Sequence, residues 1–467
     1  MHEMSRRALL ASFGTGAAAL ALTNLPAAGA ATNATGATAT TIPLSSGTDT
    51  LGTGTFQLFS QTDLNFQTLF GLGEAGLNSV AGEVIAVVAA ANAAPGGASY
   101  QSVYDEFIAQ ANRLQESALE AQKARHLVTA QSRFIRAAKY YAQALYWVLG
   151  TSTPGAEADV YTAMDAMFVK GMQLMKPRPE QIEIRYDRGT LPAWFVKPDS
   201  GGARRPTVIM NNGSDGQNVD MLPQGGLAAL DRGYNVVIFE GPGQGSQLFL
   251  HNVPFRPDWE KVITPIVDYL ETRSDVNLDQ VAARGISFGG LLVPRAAAHE
   301  HRLGAVVADP GSVKSILNYP PIIRDILTEK NAADVNSAWN ATVVPGATPD
   351  QKFNLMKTFE IFTKDAHDSA TRGELVTNVA PVGEQIVQYD ITDQLDKITS
   401  PTLVTQYEGD VDFTTEGKTL SDGLTKAKSR KFVEFTAVNG AQYHCGPLAP
   451  QVGNEACWDW TDEVFGR

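Results

Sequence analysis

Val281-Ala282-Ala283-Arg284-Gly285-Ile286-Ser287-Phe288-Gly289-Gly290 is the stretch that decides how this chain folds. A short apolar run suited to a buried strand enters Gly-x-Ser-x-Gly and leaves into an apolar segment of helical character, residues 291–299. A strand that turns sharply into a helix with serine at the apex needs small residues on both sides. The serine backbone is strained there, and the helix packs tightly on the strand. Gly285, Gly289 and Gly290 meet that need, so the stretch reads as a nucleophile elbow that presents Ser287 above the end of a buried strand.

Outward from the elbow the same grammar repeats. Thr207-Val208-Ile209-Met210, Val236-Val237-Ile238-Phe239, Ala305-Val306-Val307-Ala308, Thr402-Leu403-Val404-Thr405 and Phe432-Val433-Glu434-Phe435 are β-branched or apolar runs, most of them separated by helical segments such as 259–272. Strand–helix alternation of this kind predicts an α/β protein with a mostly parallel sheet and helices on both faces. Upstream, Ile182-Glu183-Ile184-Arg185-Tyr186 and Ala193-Trp194-Phe195-Val196 alternate about the turn Asp187-Arg188-Gly189, which predicts antiparallel strands at the sheet edge. Residues 312–389 interrupt the alternation and are expected to form a helical insertion above the carboxyl ends of the strands, where α/β proteins bind ligands.

Residues 56–178 follow a helical period: Tyr104, Phe107, Ala111, Leu114 and Ala118 share one face, and Phe134, Ala137, Ala138, Tyr141, Leu145 and Val148 another. We expect a helical cap there, followed by the α/β domain over 179–467. Phe66, Phe70, Trp339 and Phe359 are candidates for the lining of a pocket or for core. Residues 31–55, rich in Ala, Thr, Gly and Ser, read as a linker. Ahead of them Ser5-Arg6-Arg7-Ala8-Leu9-Leu10 resembles a twin-arginine export signal, with an apolar run over 9–22 and the small residues Ala28-Gly29-Ala30 for cleavage. That run is shorter than the ~20 residues a membrane-spanning helix needs. The expectation is export to the periplasm or medium, with residues 1–30 removed.

The chain has 467 residues, 43% hydrophobic and 19% charged, with a net charge of −13 and no basic cluster. Such a composition fits a globular enzyme and excludes a phosphate-tracking surface, so no nucleic-acid partner is expected. Only two cysteines occur, Cys445 and Cys457, which leaves open a single bridge or two packed thiols. No Cys/His pair has zinc spacing, and neither a metal nor another cofactor is expected. Glu240-Gly241-Pro242-Gly243-Gln244-Gly245-Ser246 lacks the Gly-Lys-Ser/Thr ending of a phosphate loop and reads as a tight turn that shapes the pocket floor.

A serine nucleophile needs a base and an acid, which follow it in chain order on this architecture. Among histidines, only His444 comes after the last two predicted strands' acidic loop, in Gly440-Ala441-Gln442-Tyr443-His444-Cys445-Gly446. The acid comes from Glu408-Gly409-Asp410-Val411-Asp412; a Gly-x-x-Asp count selects Asp412, with Asp410 as its competitor. The developing oxyanion needs backbone donors. Phe288, directly after the nucleophile, supplies one, and Gly213 or Ser214 in Asn212-Gly213-Ser214-Asp215-Gly216 the other.

With these segments goes a resemblance that covers most of residues 56–467. Leu191-Pro192-Ala193-Trp194-Phe195-Val196-Lys197-Pro198, Gly213-Ser214-Asp215-Gly216, Gly241-Pro242-Gly243-Gln244-Gly245, the elbow, Ala308-Asp309-Pro310-Gly311 and His444-Cys445 are similar to a branch of the α/β-hydrolases. That branch holds 2,6-dihydroxypseudooxynicotine hydrolase, the fungal polyketide-shortening hydrolases and FrsA-like esterases, and it is related to the prolyl oligopeptidase hydrolases. The resemblance implies an α/β-hydrolase fold with a helical domain over the cleft, and often a homodimer. It also implies hydrolysis of an acyl–oxygen or acyl–carbon bond in small aromatic or ketone-bearing substrates, with Ser287, Asp412 and His444 at the triad positions. Glu240 departs from the aspartate that usually precedes the Gly-Pro-Gly-Gln-Gly stretch. Two other readings share these residues: a serine peptidase of the prolyl oligopeptidase kind, whose usual propeller repeats are absent, and a non-catalytic binding protein on the same fold.

Overall fold

Each β-branched run forms a strand of one eight-stranded sheet in the order β1-β2-β4-β3-β5-β6-β7-β8. The strands are β1 (Glu180–Tyr186), β2 (Gly189–Val196), β3 (Arg205–Asn211), β4 (Asn235–Phe239), β5 (Val276–Ile286), β6 (Ala305–Asp309), β7 (Thr402–Tyr407) and β8 (Arg430–Phe435). β1 and β2 form the expected antiparallel hairpin, Tyr186 opposite Gly189, and β2 joins β4 antiparallel. From β4 to β8 every pairing is parallel. This computed structural model describes residues 57–467 except Thr62, Asp412 and Thr414; the expected export signal (1–30) and linker (31–55) lie outside the described residues.

The central strands are apolar because helices cover both faces and no position meets water; all five residues of β4 and of β6 are buried. Parallel strands share one carboxyl edge. β3, β5, β6, β7 and β8 therefore deliver the segments after Asn211, Ile286, Asp309, Tyr407 and Phe435 to the same side of the molecule.

Among the described residues, five α-helices precede the sheet: α1 (Asp63–Gly73), α2 (Ala81–Asn92), α3 (Tyr100–Lys123), α4 (Leu127–Trp147) and α5 (Glu157–Leu174). Ser99 and Ser102 close a reciprocal capping box at the start of α3, which satisfies amide groups that the first turn leaves without partners. α4 is buried nearly all round, Phe134, Ala138, Tyr140, Ala144 and Trp147 included, because it is packed on several sides. After β4 comes α6 (Glu260–Glu271), and after β5 comes α7 (Gly289–Ala297). The region expected as an insertion is helical and includes α8 (Pro349–Phe359) and α9 (Lys364–Ala370). Phe353 of α8 stacks on Tyr100 at 4.3 Å and lies 5.9 Å from both Tyr146 and Trp147, so the insertion rests on the N-terminal helices. Among the described residues no helix is long and apolar enough to cross a membrane.

Buried polar joints fasten these helices to the sheet. Lys139 of α4 reaches Glu74 at 2.6 Å and Asp220 at 2.7 Å, and Gln224 donates to Glu74 at 3.1 Å. Glu240, at the end of β4, accepts from Tyr161 of α5 (2.8 Å), Asn218 (3.1 Å), and the backbone and hydroxyl of Ser246 (2.9 and 2.6 Å). Burial outweighs these donors and pushes the Glu240 carboxyl up to about 7. A third joint lies under the elbow. Asp309 holds Arg284 (2.6 Å), Thr405 (2.6 Å) and Tyr407 (2.5 Å), and its backbone oxygen accepts from Ser287 N–H at 2.8 Å. Burial alone would raise the Asp309 carboxyl, but the Arg284 guanidinium and the two hydroxyls hold it below its ordinary value.

Two outcomes follow for stability. Asp309→Asn leaves the buried Arg284 charge without its counter-ion, which costs about 3–5 kcal/mol by the measure of other buried pairs. Chemical denaturation would show it, and an unchanged midpoint would mean that the pair contributes nothing. For Glu240 the folded value lies above the unfolded one, so its contribution is full below about pH 4.5 and is lost as pH rises through about 7. The melting-temperature advantage of the native chain over Glu240→Gln should accordingly be largest in acid and shrink toward pH 8; a difference constant with pH would contradict the assignment.

Candidate active site

Ser287 follows β5 directly and has a backbone φ of 58°, in the left-handed region that non-glycine residues rarely occupy. Its N–H is held by Asp309 of β6, and the next residues enter α7 at once. A Cβ on Gly285 would stand 1.9 Å from the Gly289 carbonyl oxygen, so the strand and the helix can cross at this distance only through glycine. The strain at Ser287 is thus maintained by the sheet on one side and by tight packing on the other.

His444 stands opposite, in the loop after β8. Its Nε2 is 2.9 Å from Ser287 Oγ and its Nδ1 is 2.7 Å from Asp410 Oδ2. The acid beside the imidazole is therefore Asp410, the competitor of the expected Asp412, and Asp412 itself lies outside the described residues. The reason is the shape of the turn. Asp410 N–H bonds back to Tyr407 O (3.1 Å), Gly409 N–H bonds to Gln442 O (2.8 Å) in the histidine loop, and Phe413 N–H donates to Asp410 Oδ1 (3.0 Å). The chain curls immediately after β7, and the first carboxylate past the glycine already faces the histidine. Phe413 then lies flat on the imidazole, centroids 4.9 Å apart and 13° between planes. Burial alone disfavours the imidazolium, but the Asp410 carboxylate outweighs it and holds His444 well above the ordinary histidine value.

The loop after β3 comes up beside the serine. A Cβ on Gly213 would meet Ser287 Cβ at 2.6 Å and Phe288 N at 3.1 Å, which shows how closely this backbone approaches the elbow. Gly213 N–H is donated to the Asn212 side chain at 2.8 Å, whereas among the described residues no hydrogen bond engages the N–H of Ser214 or Phe288. Of the two candidates in this loop, Ser214 therefore keeps its amide available. Phe288 is the N-cap of α7, where a helix leaves N–H groups without intrahelical partners. Two supports escaped the sequence reading. Gln244 donates to the carbonyls of Asn212 (2.7 Å) and Gly213 (3.0 Å), and Trp259 Nε1 donates to Asn211 (2.6 Å). The stretch read as a tight turn at the pocket floor thus acts as a brace for the loop beside Ser287, a role that only the position of Gln244 in space reveals.

Phe66 of α1 lies 6.3 Å from the His444 ring, and Phe70 packs edge-on against Phe66 at 5.6 Å, so the N-terminal helices form part of the wall. Trp339 and Phe359 are core of the insertion, Trp339 donating to Val376 O at 2.7 Å. Cys445 and Cys457 are free, buried thiols; burial raises both, Cys457 to about 12. A cavity of about 790 Å³ lined by Arg188, Phe255, Arg256, Phe362 and Gln385 opens nearby, without Ser287 or His444 in its wall. Its residue Phe255 packs on the Phe288 ring at 5.4 Å.

No family model matches the chain. It is 28% identical over 433 residues to the hydrolase LUC6 of Fusarium sp, covering 88% of this chain and 98% of that one. It is 27% identical over 394 residues to the alpha/beta hydrolase psoB of Aspergillus fumigatus, covering 78% and 85%. Among solved structures, 2,6-dihydroxy-pseudo-oxynicotine hydrolase superimposes with a TM-score of 0.60 at 19% identity, over 86% of this chain and 95% of that one. The likeness runs along both chains rather than around the serine alone, and with the eight-stranded, mostly parallel sheet it gives the chain the α/β-hydrolase fold.

Proposed function

We propose that the chain is a serine hydrolase that cleaves an ester or acyl–carbon bond of a small aromatic or ketone-bearing substrate. One observation carries this reading: His444 bridges Ser287 Oγ and Asp410 through its two ring nitrogens, at 2.9 and 2.7 Å. Ser287 Oγ attacks the substrate carbonyl while His444 Nε2 takes the hydroxyl proton, and Asp410 stabilises the imidazolium and fixes the tautomer. The amides of Phe288 and Ser214 receive the oxyanion. His444 returns the proton to the leaving oxygen or carbon, and water then releases the acyl group by the same steps. The ring pair Phe66–Phe70 supports an aromatic or otherwise apolar substrate, as does the likeness to a hydrolase named for 2,6-dihydroxy-pseudo-oxynicotine. The twin-arginine-like residues at the N-terminus support export of the folded enzyme.

A fluorophosphonate probe should label the native protein at Ser287, and Ser287→Ala should lose several orders of magnitude of activity on aryl esters or β-diketones with its melting temperature nearly unchanged. Labelling at another serine, or an active alanine variant, would refute the nucleophile. Asp410→Asn should lower kcat by about 10⁴, since a neutral amide favours the wrong imidazole tautomer, while Asp412→Asn should change it little. Equal losses in kcat assays of the two variants would return the acid to position 412.

A further inference from the structure

Where α5 begins against the insertion, three side chains with metal-binding atoms face one another: Glu157 in the first turn of α5, Glu360 just past α8, and His367 in α9. All are buried, at 1%, 0% and 6% exposure. His367 Nδ1 lies 3.6 Å from Glu360 Oε2 and 3.8 Å from Glu157 Oε2, and the three donor atoms lie within 4.8 Å of one another. Among the described residues, neither oxygen of Glu157, nor Glu360 Oε2, nor His367 Nδ1 has a hydrogen-bond partner. Lys357 is committed to the other oxygen of Glu360, at 2.7 Å. Two carboxylates and an imidazole nitrogen thus converge on one point, each of the three residues more than nine-tenths buried.

We propose that Glu157, Glu360 and His367 bind a divalent first-row transition cation, with Zn²⁺ as the best-fitting occupant. Ligand bonds of about 2.1 Å in a tetrahedral site place neighbouring donor atoms ~3.4 Å apart, close to the separations found here. The donor set of one imidazole and two carboxylates excludes the hard cations that take oxygen alone and admits zinc and its neighbours. Charge points the same way. With all three ionised, Glu157, Glu360 and the half-buried Asp215, on which Lys357 also acts, carry three negative charges against one ammonium, and a divalent ion makes the group neutral. The ion ties α5 of the N-terminal helices to the insertion, joining two walls that meet near the triad. Glu157 is so far from Glu360 and His367 in the chain that no spacing rule could have joined the three.

The rival occupant is a proton shared between Glu157 and Glu360, since burial and then the neighbouring Glu360 raise the Glu157 carboxyl well above its ordinary value. Elemental analysis of the full chain purified without chelator, and its melting temperature with ZnCl₂ or with a chelator, separate the two. The proposal expects about one zinc per chain, a melting temperature several degrees higher with zinc than with chelator, and loss of both in Glu157→Gln and His367→Gln. An absence of metal together with melting unaffected by zinc overturns it. So does a Glu157→Gln variant as stable as the native chain with the same zinc response, because glutamine mimics the protonated acid. Neither readout depends on hydrolysis, so failure here leaves the serine mechanism untouched, and failure of the mechanism leaves this site standing.

Discussion

Ser287 sits in a backbone conformation it would not choose, and a single hydrogen bond from its N–H to Asp309 O is the constraint on which the site depends. Asp309 can serve because its own side chain is immobilised by Arg284, Thr405 and Tyr407, which draw β5, β6 and β7 together beneath the elbow. The same carboxylate that neutralises a buried guanidinium also fixes the peptide that presents the nucleophile. Stability and reactivity are coupled at this residue: what holds the strained turn is a charge pair whose removal would expose an unpaired buried charge.

Around that centre the molecule is assembled from segments that are distant in sequence. The β3 loop reaches the elbow because Gln244 and Trp259 brace it, and the histidine loop reaches the acid because Gly409 bonds to Gln442. The N-terminal helices are not a detached module. Lys139, Tyr161 and Phe66 join them to the Asp220 loop, to Glu240 and to the imidazole face. Glu240, where relatives of this type were expected to carry aspartate, has a longer side chain that accepts from Tyr161 of α5 and from Ser246 together. The Glu157–Glu360–His367 cluster extends the same principle to the insertion: where two helical units meet in a buried interior, the polar groups left there must find partners.

The eight strands, the elbow and the serine–histidine pairing could be read from local order alone. Strand period, apolar runs and a Gly-x-Ser-x-Gly between strand and helix are properties of neighbours in the chain, and His444 was singled out because no other histidine follows the acidic loop. Which aspartate meets that histidine was not local. Asp410 and Asp412 differ by two positions in a turn, and the choice was made by Gly409 bonding across to Gln442 and by Phe413 closing back on Asp410. The availability of the Ser214 amide, the bracing by Gln244, the place of Phe66 beside the imidazole and the convergence of Glu157 with Glu360 and His367 were likewise decided by tertiary structure. Sequence alone determined what each segment is, because periodicity and turn chemistry act over a few residues. Only the packed molecule decided what each side chain faces, because that depends on contacts between elements whose separation along the chain carries no pattern.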